Sequence, residues 1–318
     1  MKLLNEFISR RLPLLTVLMA IGTYLSPVYW KVAPWFPSLL LGVVIFCTGL
    51  SMNIEAIKEI RTKKRELVLA TLLKWTLTVF ISIGLAYLFF WSKPEIAAGL
   101  ILSGTVPSAT AATIYTFLAG GNASLVIAAS LLDVVISPIV TPLSMMGISS
   151  TQVTISIFSL LQSFLFIVVL PLSIGLFIQR VLPQSTSYSK TVTKLGSSVS
   201  LLLIIHTIVG SGKEAISSEI RLLPLIAIAT FIQVVLPMAA AYFIAKKLKV
   251  SEPDARAILF QVGLCNTALA AIVAFRFIGE LGAIAPILNM IFNLSLGAFI
   301  SNHFAKIGTT DGSFPLVQ

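Results

Sequence analysis

The sequence contains few charged residues. Only 11% of its 318 residues are Asp, Glu, Lys or Arg, whereas soluble domains contain about 25%. Hydrophobic residues make up 57%, and the mean hydropathy is +1.00. The composition therefore predicts an integral membrane protein. The net charge of +10 does not indicate a nucleic-acid partner, because the basic residues lie in short clusters between apolar segments.

Cysteine and histidine are also scarce, with two of each. Cys47 and Cys265 both fall inside apolar segments, so no disulfide framework is implied. An intramembrane enzyme would need a Ser/His dyad, a pair of aspartates or a metal cluster. The apolar segments contain one aspartate and, apart from His206, a single histidine at a segment end. We therefore predict no enzyme activity, no catalytic residues, no metal and no cofactor.

Apolar segments long enough to cross a bilayer recur along the chain. A spanning helix needs roughly 17–25 residues. The first apolar run is longer than the ~7–15-residue core of a signal peptide, so we interpret it as a span. The sequence predicts ten spans, at 12–30, 36–53, 67–91, 95–118, 123–146, 153–179, 195–211, 222–245, 255–277 and 282–304.

The distribution of Lys and Arg predicts the orientation. Of the 22 basic residues, 16 fall in segments on one side, five on the other, and Lys74 lies within a span. Cytoplasmic loops carry the excess of positive residues. Both termini are therefore predicted to be cytoplasmic, in a multi-pass protein of the plasma (inner) membrane.

The two halves of the chain resemble each other at a fixed offset in the numbering. KPEIAAGLILSGTVPSATAAT (93–113) matches EPDARAILFQVGLCNTALAAI (252–272). The same offset pairs Gly104 with Gly263 and Lys74 with Gln233, and we call two residues related in this way repeat equivalents. Five spans per half predict that the second repeat (151–318) is inverted relative to the first (1–150), as in many secondary transporters.

Each half interrupts its fourth span. Pro107 breaks the first interrupted span, and GLCNTA (263–268) interrupts its counterpart. Unwound backbone at membrane depth is tolerated only where it is buried in protein or lines a watery cavity. Helix N-termini at such breaks attract anions, and free carbonyls attract cations. We predict a transport site lined by Thr110, Thr113, Asn266 and Thr267. The alternative is that these small residues serve helix packing.

The stretches around both breaks resemble the bile acid:sodium symporter (BASS) family and its bacterial homologues. GTVPSATAATIYTFLAGGNASL (104–125) is similar to the first family signature, ISPIVTP (136–142) to the end of family helix 5, and QVGLCNTALA (261–270) to the second crossing. The resemblance implies broken helices 4 and 9, a core domain of helices 3–5 and 8–10, and a panel domain of helices 1, 2, 6 and 7. It also implies alternating-access transport of a small or amphipathic organic anion, such as a bile-acid-like steroid, pantoate or a keto acid.

The two sodium sites that this resemblance implies are altered. A family glutamate that contributes to both sites matches the neutral Gln261, and a helix-3 glutamine that faces the second ion matches Lys74. A carboxylate is thus lost and an ammonium gained, which predicts substrate binding that does not require sodium. The other equivalents are Ala112 and Thr113 for a Ser-Asn pair, Val126 and Ser130 for two hydroxyl residues of helix 5, and Cys265 for a second-break glutamine.

Lys74 and Asp133 are charged residues inside predicted spans. Burying a charge in a bilayer costs at least ~2.5–3.5 kcal/mol, so each should find a partner. We predict that they pair, either as a structural ion pair or with the ammonium replacing sodium and Asp133 replacing the lost acid. The other alternative is that Lys74 snorkels to the interface. Ser130, Asp133 and Ser137 have the spacing of one helix face.

Three further polar residues lie in the later spans. We predict that Asn289 and Asn293 contact substrate, because the resemblance places their span beside the substrate cavity. His206 is interpreted as a packing histidine, with a proton relay as the alternative. The alternative function is a cation/proton antiporter-like or proton-coupled transporter using Asp133 and Lys74, so either a proton or sodium is a candidate coupling ion.

Overall fold

The computed structural model describes residues 2–30, 32–33, 35–52, 62–146, 156–182 and 185–310, with side chains from Arg11 onward except at 157, 185–194, 197 and 307–310. The regular elements in these ranges are all helices, and we number them in chain order. They are α1 (Lys2–Leu25), α2 (Phe36–Ser51), α3 (Lys64–Phe90), α4 (Pro94–Thr105), α5 (Thr110–Leu118), α6 (Ala123–Met145), α7 (Ile157–Phe164, continued by Leu165–Val169 and Leu170–Val181), α8 (Ser185–Ser211), α9 (Lys213–Ser218), α10 (Leu223–Lys247), α11 (Glu252–Gly263), α12 (Thr267–Phe277) and α13 (Glu280–Thr310).

The helices have the length and composition of membrane spans. Five described helices are long and apolar enough to cross a membrane, namely α3, α6, α10, most of α13, and α7 from Phe158 to Val181. Parts of α1 and α8, together with α2 and α12, form shorter apolar helices. The prediction of an all-α, multi-pass membrane protein is confirmed. Lys58 and Arg61, on which the predicted orientation partly rests, and the start of the predicted span at 153 lie outside the described residues.

The helix boundaries follow from local chemistry. Pro94 begins α4, where the missing backbone N–H costs nothing because the first turn has no intrahelical acceptor for it. The side chains of Asn122 and Asn266 cap α6 and α12, accepting the N–H of Leu125 and of Leu269 at 3.1 and 3.2 Å. These caps satisfy donors at helix starts, so the chain can begin new helices inside the protein.

A π-helical turn in α3 and a proline in α10 stand at matching positions of the two halves. α3 contains a π-helical turn over Lys74–Thr78, a feature often found at functional sites. In α10, Pro237 is the repeat equivalent of Thr78 and removes a backbone donor from the helix. The backbone hydrogen bonding of the helix is thus altered at the same position in both halves, although α10 stays α-helical there.

Two glycines permit close helix contact beside the breaks. A Cβ atom on Gly104 would collide with the Ser82 side chain of α3, and one on Gly263 would collide with Met238 of α10. Only glycine lets the helices approach this closely. Gly104 and Gly263 are repeat equivalents, so both halves need a residue without a side chain at the same position.

The helices pack in two groups. In the first, α2 lies against α7 and α8, and α1 lies against α8. In the second, α10 packs on α11 and α13, α12 packs on α13, and α4 packs on α3 and α13. Large apolar side chains such as Phe80 and Phe299 point outward, 70% and 71% exposed. An apolar exterior of this kind suits contact with lipid rather than water.

Candidate functional site

The two interruptions lie back to back. Between α4 and α5, Ser108 forms an antiparallel bridge with Cys265, which lies between α11 and α12. The N–H of Ala109 donates to the carbonyl of Leu264 at 2.8 Å, and that of Asn266 donates to the carbonyl of Pro107 at 2.7 Å. Backbone groups freed by the breaks thus bond to each other, which makes non-helical backbone tolerable in the interior.

Asp133 of α6 lies beside this crossing and is completely buried. Its Oδ1 accepts the indole N–H of Trp75 at 2.8 Å. Its Oδ2 accepts the amide and hydroxyl of Ser108 at 3.1 and 2.6 Å, and the side-chain amide of Gln261 at 2.8 Å. Four donors from three elements therefore surround one carboxylate. Such bonding compensates much of the cost of burying its charge.

Lys74 of α3 is also completely buried. Its Nζ contacts the Sγ of Cys265 at 2.6 Å and lies 5.7 Å from the ring centroid of Trp75. The predicted direct pairing with Asp133 is wrong, because the four ion pairs among the described side chains do not include it. The Asp133 carboxylate bonds to Trp75, Ser108 and Gln261 instead. The snorkelling alternative is also wrong, since the ammonium turns inward to the second break.

Gln261 joins these groups to the predicted cation-site residues of α6. Ser130 donates to its Oε1 at 3.2 Å, while the Ser108 hydroxyl, which bonds Asp133, also lies 2.8 Å from its backbone carbonyl. Ala112 and Val126 are fully buried and apolar. Ser137 is buried with no partner for its hydroxyl in the described residues. We call the following set the charged cluster: Lys74, Trp75, Ser108, Ser130, Asp133, Gln261 and Cys265.

A second buried polar group is centred on a glutamine in the second half of the chain. Gln233 of α10 donates through Nε2 to the Ser82 hydroxyl and to the carbonyl of Leu100, both at 2.7 Å. Its Oε1 accepts the side-chain amide of Asn289 at 2.6 Å. We call Ser82, Leu100, Gln233 and Asn289 the neutral cluster, because none of its side chains carries a charge.

A cavity of about 1090 Å³ opens beside the crossing. Its wall includes five of the six predicted substrate-contacting residues; Asn289 is not among them, because it is buried against Gln233. Leu41, Ile45 and Ile204 add an apolar surface from α2 and α8. The five residues at the wall are Thr110, Thr113, Asn266, Thr267 and Asn293.

Asn293 and Cys265 connect the cavity with the charged cluster. Cys265 lines the cavity and also contacts Lys74. The Asn293 amide donates to the Cys265 carbonyl at 3.0 Å, and its own Oδ1 has no partner among the described residues. A ligand in the cavity would therefore meet an unused acceptor and, one residue behind the wall, a buried ammonium.

Comparison with known proteins gives the family. The family model described as "Sodium Bile acid symporter family" matches residues 38–219, more than half of the chain. The chain belongs to the sodium bile acid symporter family. This membership makes it a transporter-family protein, as the resemblance implies.

Relatives of this symporter-family chain are similar over most of its length. It is 26% identical over 273 residues to the "Uncharacterized sodium-dependent transporter YocS" of Bacillus subtilis, covering 85% of this chain and 83% of that protein. It is 25% identical over 283 residues to "Uncharacterized protein YbaS" of the same organism, covering 87% and 90%. It is 24% identical to the "Probable sodium/metabolite cotransporter BASS1, chloroplastic" of Arabidopsis thaliana, covering 85% and 67%.

His206 of this family member is held away from the cavity. Its Nε2 accepts the N–H of Trp30 at 3.1 Å, which places the ring proton of the neutral form on Nδ1, 2.9 Å from the Thr23 hydroxyl. Both ring nitrogens therefore have partners in α1 or the segment after it. This arrangement agrees with the packing interpretation.

Ion pairs secure the start of α11. Lys63 donates to the Oδ2 of Asp254 at 2.5 Å, and Ser251 and Asn122 donate to the same carboxylate at 2.6 and 2.8 Å. Burial opposes ionisation of Asp254, but these donors outweigh it and lower the pKa of the carboxyl. The hydrogen bond with Asp254 raises the pKa of Lys63. The network ties α3, α6 and α11 together.

Two members of the charged cluster, Trp75 and Ser108, were not among the residues predicted from the sequence. Trp75 follows Lys74 directly, and an indole N–H inside a span normally needs an acceptor. Ser108 lies in the same break as Thr110 but points to Asp133 instead of the cavity. The signal for both residues was their position next to a buried charge or a break. Whether such a side chain points to Asp133 or to the cavity depends on the tertiary structure.

Proposed function

We propose that this chain is a secondary transporter of an organic anion that uses Lys74 where its relatives bind sodium. In this proposal, ten spans form two inverted repeats, and α4–α5 and α11–α12 are the two broken helices. The group of α1, α2, α7 and α8 acts as the panel, against which the core group moves. Two packed groups with a cavity between them support alternating access by rigid-body motion.

One observation carries the sodium-independent mechanism. The fully buried Nζ of Lys74 contacts Cys265 at the junction of the two breaks. Two unit charges ~4 Å apart repel by about 4 kcal/mol at an effective dielectric of ~20. A sodium ion beside this ammonium would meet that repulsion without the family's carboxylate, because Gln261 is neutral. The ammonium itself supplies the positive charge at the crossing.

The cavity suggests the class of substrate. The N-terminal residues of α5 and α12 lie at its wall, and helix N-termini favour anionic groups. The wall formed by α2 and α8 is apolar. We propose that the carboxylate of a bile-acid-like, pantoate-like or keto-acid substrate faces the crossing while its apolar part lies against α2 and α8.

The proposed orientation makes this an inward-open state. With both termini cytoplasmic, Pro13 and Ser301, which line the cavity, lie towards the cytoplasmic side. On the opposite side, Lys93 pairs with Glu219, and Lys213 donates to the carbonyl of Ser26 at 2.9 Å. These contacts tie the start of α4 to the segment before α10, and α9 to the segment after α1, and support a closed outer side.

The test is substrate binding with and without sodium. A panel of organic acids is screened by thermal stabilisation, and the affinity of any hit is measured in sodium and in choline. The parent should bind equally in both salts. The Lys74→Gln, Gln261→Glu double variant, which removes the ammonium and restores the carboxylate, should acquire sodium dependence.

Single variants separate the two changes. Lys74→Gln alone removes the repulsion, and Gln261→Glu alone adds the charge, so each should acquire less sodium dependence than the double variant. Gln233→Glu adds a carboxylate in the neutral cluster and should leave the salt response unchanged. A parent whose affinity rises tenfold in sodium would reject the mechanism and favour ordinary sodium coupling.

Proton coupling is the second candidate, and the position of Lys74 favours it. The ammonium is buried directly behind a cavity-lining residue, so a proton on Lys74 would be the exchangeable cation, with Asp133 as its counter-charge. In proteoliposomes without sodium, a pH gradient should then drive substrate accumulation. Accumulation that ignores the pH gradient and follows a sodium gradient would contradict this mechanism.

A further inference from the structure

The contact between Lys74 and Cys265 combines two reactive groups. The Nζ and Sγ atoms are 2.6 Å apart, and both side chains are buried. They come from elements of opposite halves, separated by 191 residues in the chain. The Trp75 ring lies 5.7 Å from the same Nζ atom. The proximity of the amine and the thiol favours a reaction between them over reactions with external partners.

Only 3% of Cys265 is exposed, but the residue borders open space. It lines the cavity that contains Thr113 and Asn266. A molecule the size of a peroxide fits easily within a volume of about 1090 Å³. Lys74 does not line the cavity. An oxidant in the cavity therefore meets Cys265 before Lys74, whose Nζ contacts the Cys265 sulfur.

We propose that Cys265 is an oxidation site whose product is a covalent sulfur–nitrogen bond to Lys74. Hydrogen peroxide oxidises the Cys265 thiol to a sulfenic acid and is reduced to water. The Lys74 ammonium loses one proton to solvent, and its nitrogen attacks the sulfenic sulfur. The S–N bond forms as the S–O bond breaks. The leaving oxygen takes a second proton from the nitrogen and departs as water.

The reaction is reversible by thiols. Two thiol molecules reduce the S–N bond, restoring the Cys265 thiol and the Lys74 amine and forming one disulfide between the reductants. While the bond is present, the nitrogen attached to sulfur no longer carries the ammonium charge. The same bond ties α3 to the segment before α12. Oxidation thus removes the buried cation and fixes the crossing in one step.

The experiment treats the purified full-length protein with hydrogen peroxide and digests it with chymotrypsin. Mass spectrometry should detect one cross-linked species containing Lys74 and Cys265, two hydrogens lighter than the sum of the free peptides. Dithiothreitol added before digestion should remove it. The measurement uses neither substrate nor sodium, so its result is independent of the proposed transport function.

Two variants serve as matched controls. Cys265→Ser keeps Cys47 and should give no cross-link. Lys74→Arg keeps a positive charge but lacks the amine, so Cys265 should instead accumulate as sulfenic or sulfinic acid. Parent protein in which Cys265 is over-oxidised while Lys74 stays unmodified would overturn the proposal. So would parent protein whose Cys265 remains a thiol under conditions that oxidise Cys47.

Discussion

The charged and neutral clusters occupy matching places in the two halves but are built from different chemistry. Lys74 and Gln233 are repeat equivalents, at corresponding points of α3 and α10. Lys74 reaches Cys265 in the second half, and Gln233 reaches the Leu100 carbonyl in the first. Each residue therefore bonds across to the other repeat. A polar side chain at this position links the two halves in both cases, but only Lys74 is charged.

The hydrogen-bond partners of the two clusters differ because only one cluster contains an ammonium group. Ser130 and Asn289 are also repeat equivalents, and each donates to the Oε1 of a glutamine. In the neutral cluster, amides and hydroxyls nearly satisfy one another, leaving the Asn289 oxygen without a described partner. The charged cluster additionally needs Asp133, because a buried ammonium requires a counter-charge. One scaffold thus holds an uncharged polar cluster in one half and a charged cluster in the other.

Replacing Asp133 should have the largest effect on this comparison. Asp133→Asn removes the only counter-charge in the cluster and turns an NH₂ group towards donors, so we expect a loss of about 3–5 kcal/mol in the free energy of unfolding. Gradient-driven uptake should be abolished while some exchange remains. Chemical denaturation in detergent and proteoliposome uptake measure these effects. Accumulation equal to that of the parent would show that Asp133 is dispensable and would reject proton coupling through it.

The neutral cluster should respond less. Gln233→Leu leaves the buried Asn289 amide without its acceptor, and a buried unsatisfied group costs about 1–3 kcal/mol. We expect the unfolding free energy to fall by that amount, and substrate affinity in sodium and in choline to remain equal. If Gln233→Leu destabilises the protein as much as Asp133→Asn does, then charge is not what distinguishes the clusters.

The sequence predicted the scaffold better than the contacts. Apolar runs and their lengths identified the helices, because a span must satisfy its own backbone. The fixed offset between the halves located both interruptions and the pair Lys74 and Gln233. It did not predict that Lys74 contacts Cys265 instead of Asp133, since that depends on the angle at which α3 passes the second break. Asn289 and Asn293 share a helix face by spacing, yet only Asn293 reaches the cavity.

The two clusters should also differ in their access to water. Cysteine at Thr113, on the cavity wall beside the charged cluster, should react with a small aqueous thiol reagent, and substrate should protect it. Cysteine at Asn289, in the neutral cluster, should not react. Cys47→Ser, Cys265→Ser is the background, and these changes should barely affect stability. A Thr113→Cys variant that is never labelled would mean that the first break serves packing only.

We expect the smallest effect from replacing the acidic residues in the first turns of α4 and α11. Asp254 is the repeat equivalent of Glu95. Asp254 accepts three side-chain hydrogen bonds, whereas Glu95 accepts none from the part of the chain that the structure describes. Asp254→Asn should therefore cost about 1 kcal/mol at neutral pH, because Lys63 is 39% exposed and solvent screens the pair. Glu95→Gln should cost less.

The pH dependence of that cost tests its electrostatic origin. Because the folded pKa of Asp254 is lowered, its ionised form stabilises the folded state above the ordinary carboxyl value of 3.8, and this contribution is lost as the pH falls further. The difference in melting temperature between the parent and Asp254→Asn should thus be full at neutral pH and shrink below that value. The difference for Glu95→Gln should stay small throughout. An Asp254→Asn difference that persists unchanged in acid would assign the effect to packing, and the two helix starts would then differ in shape instead of charge.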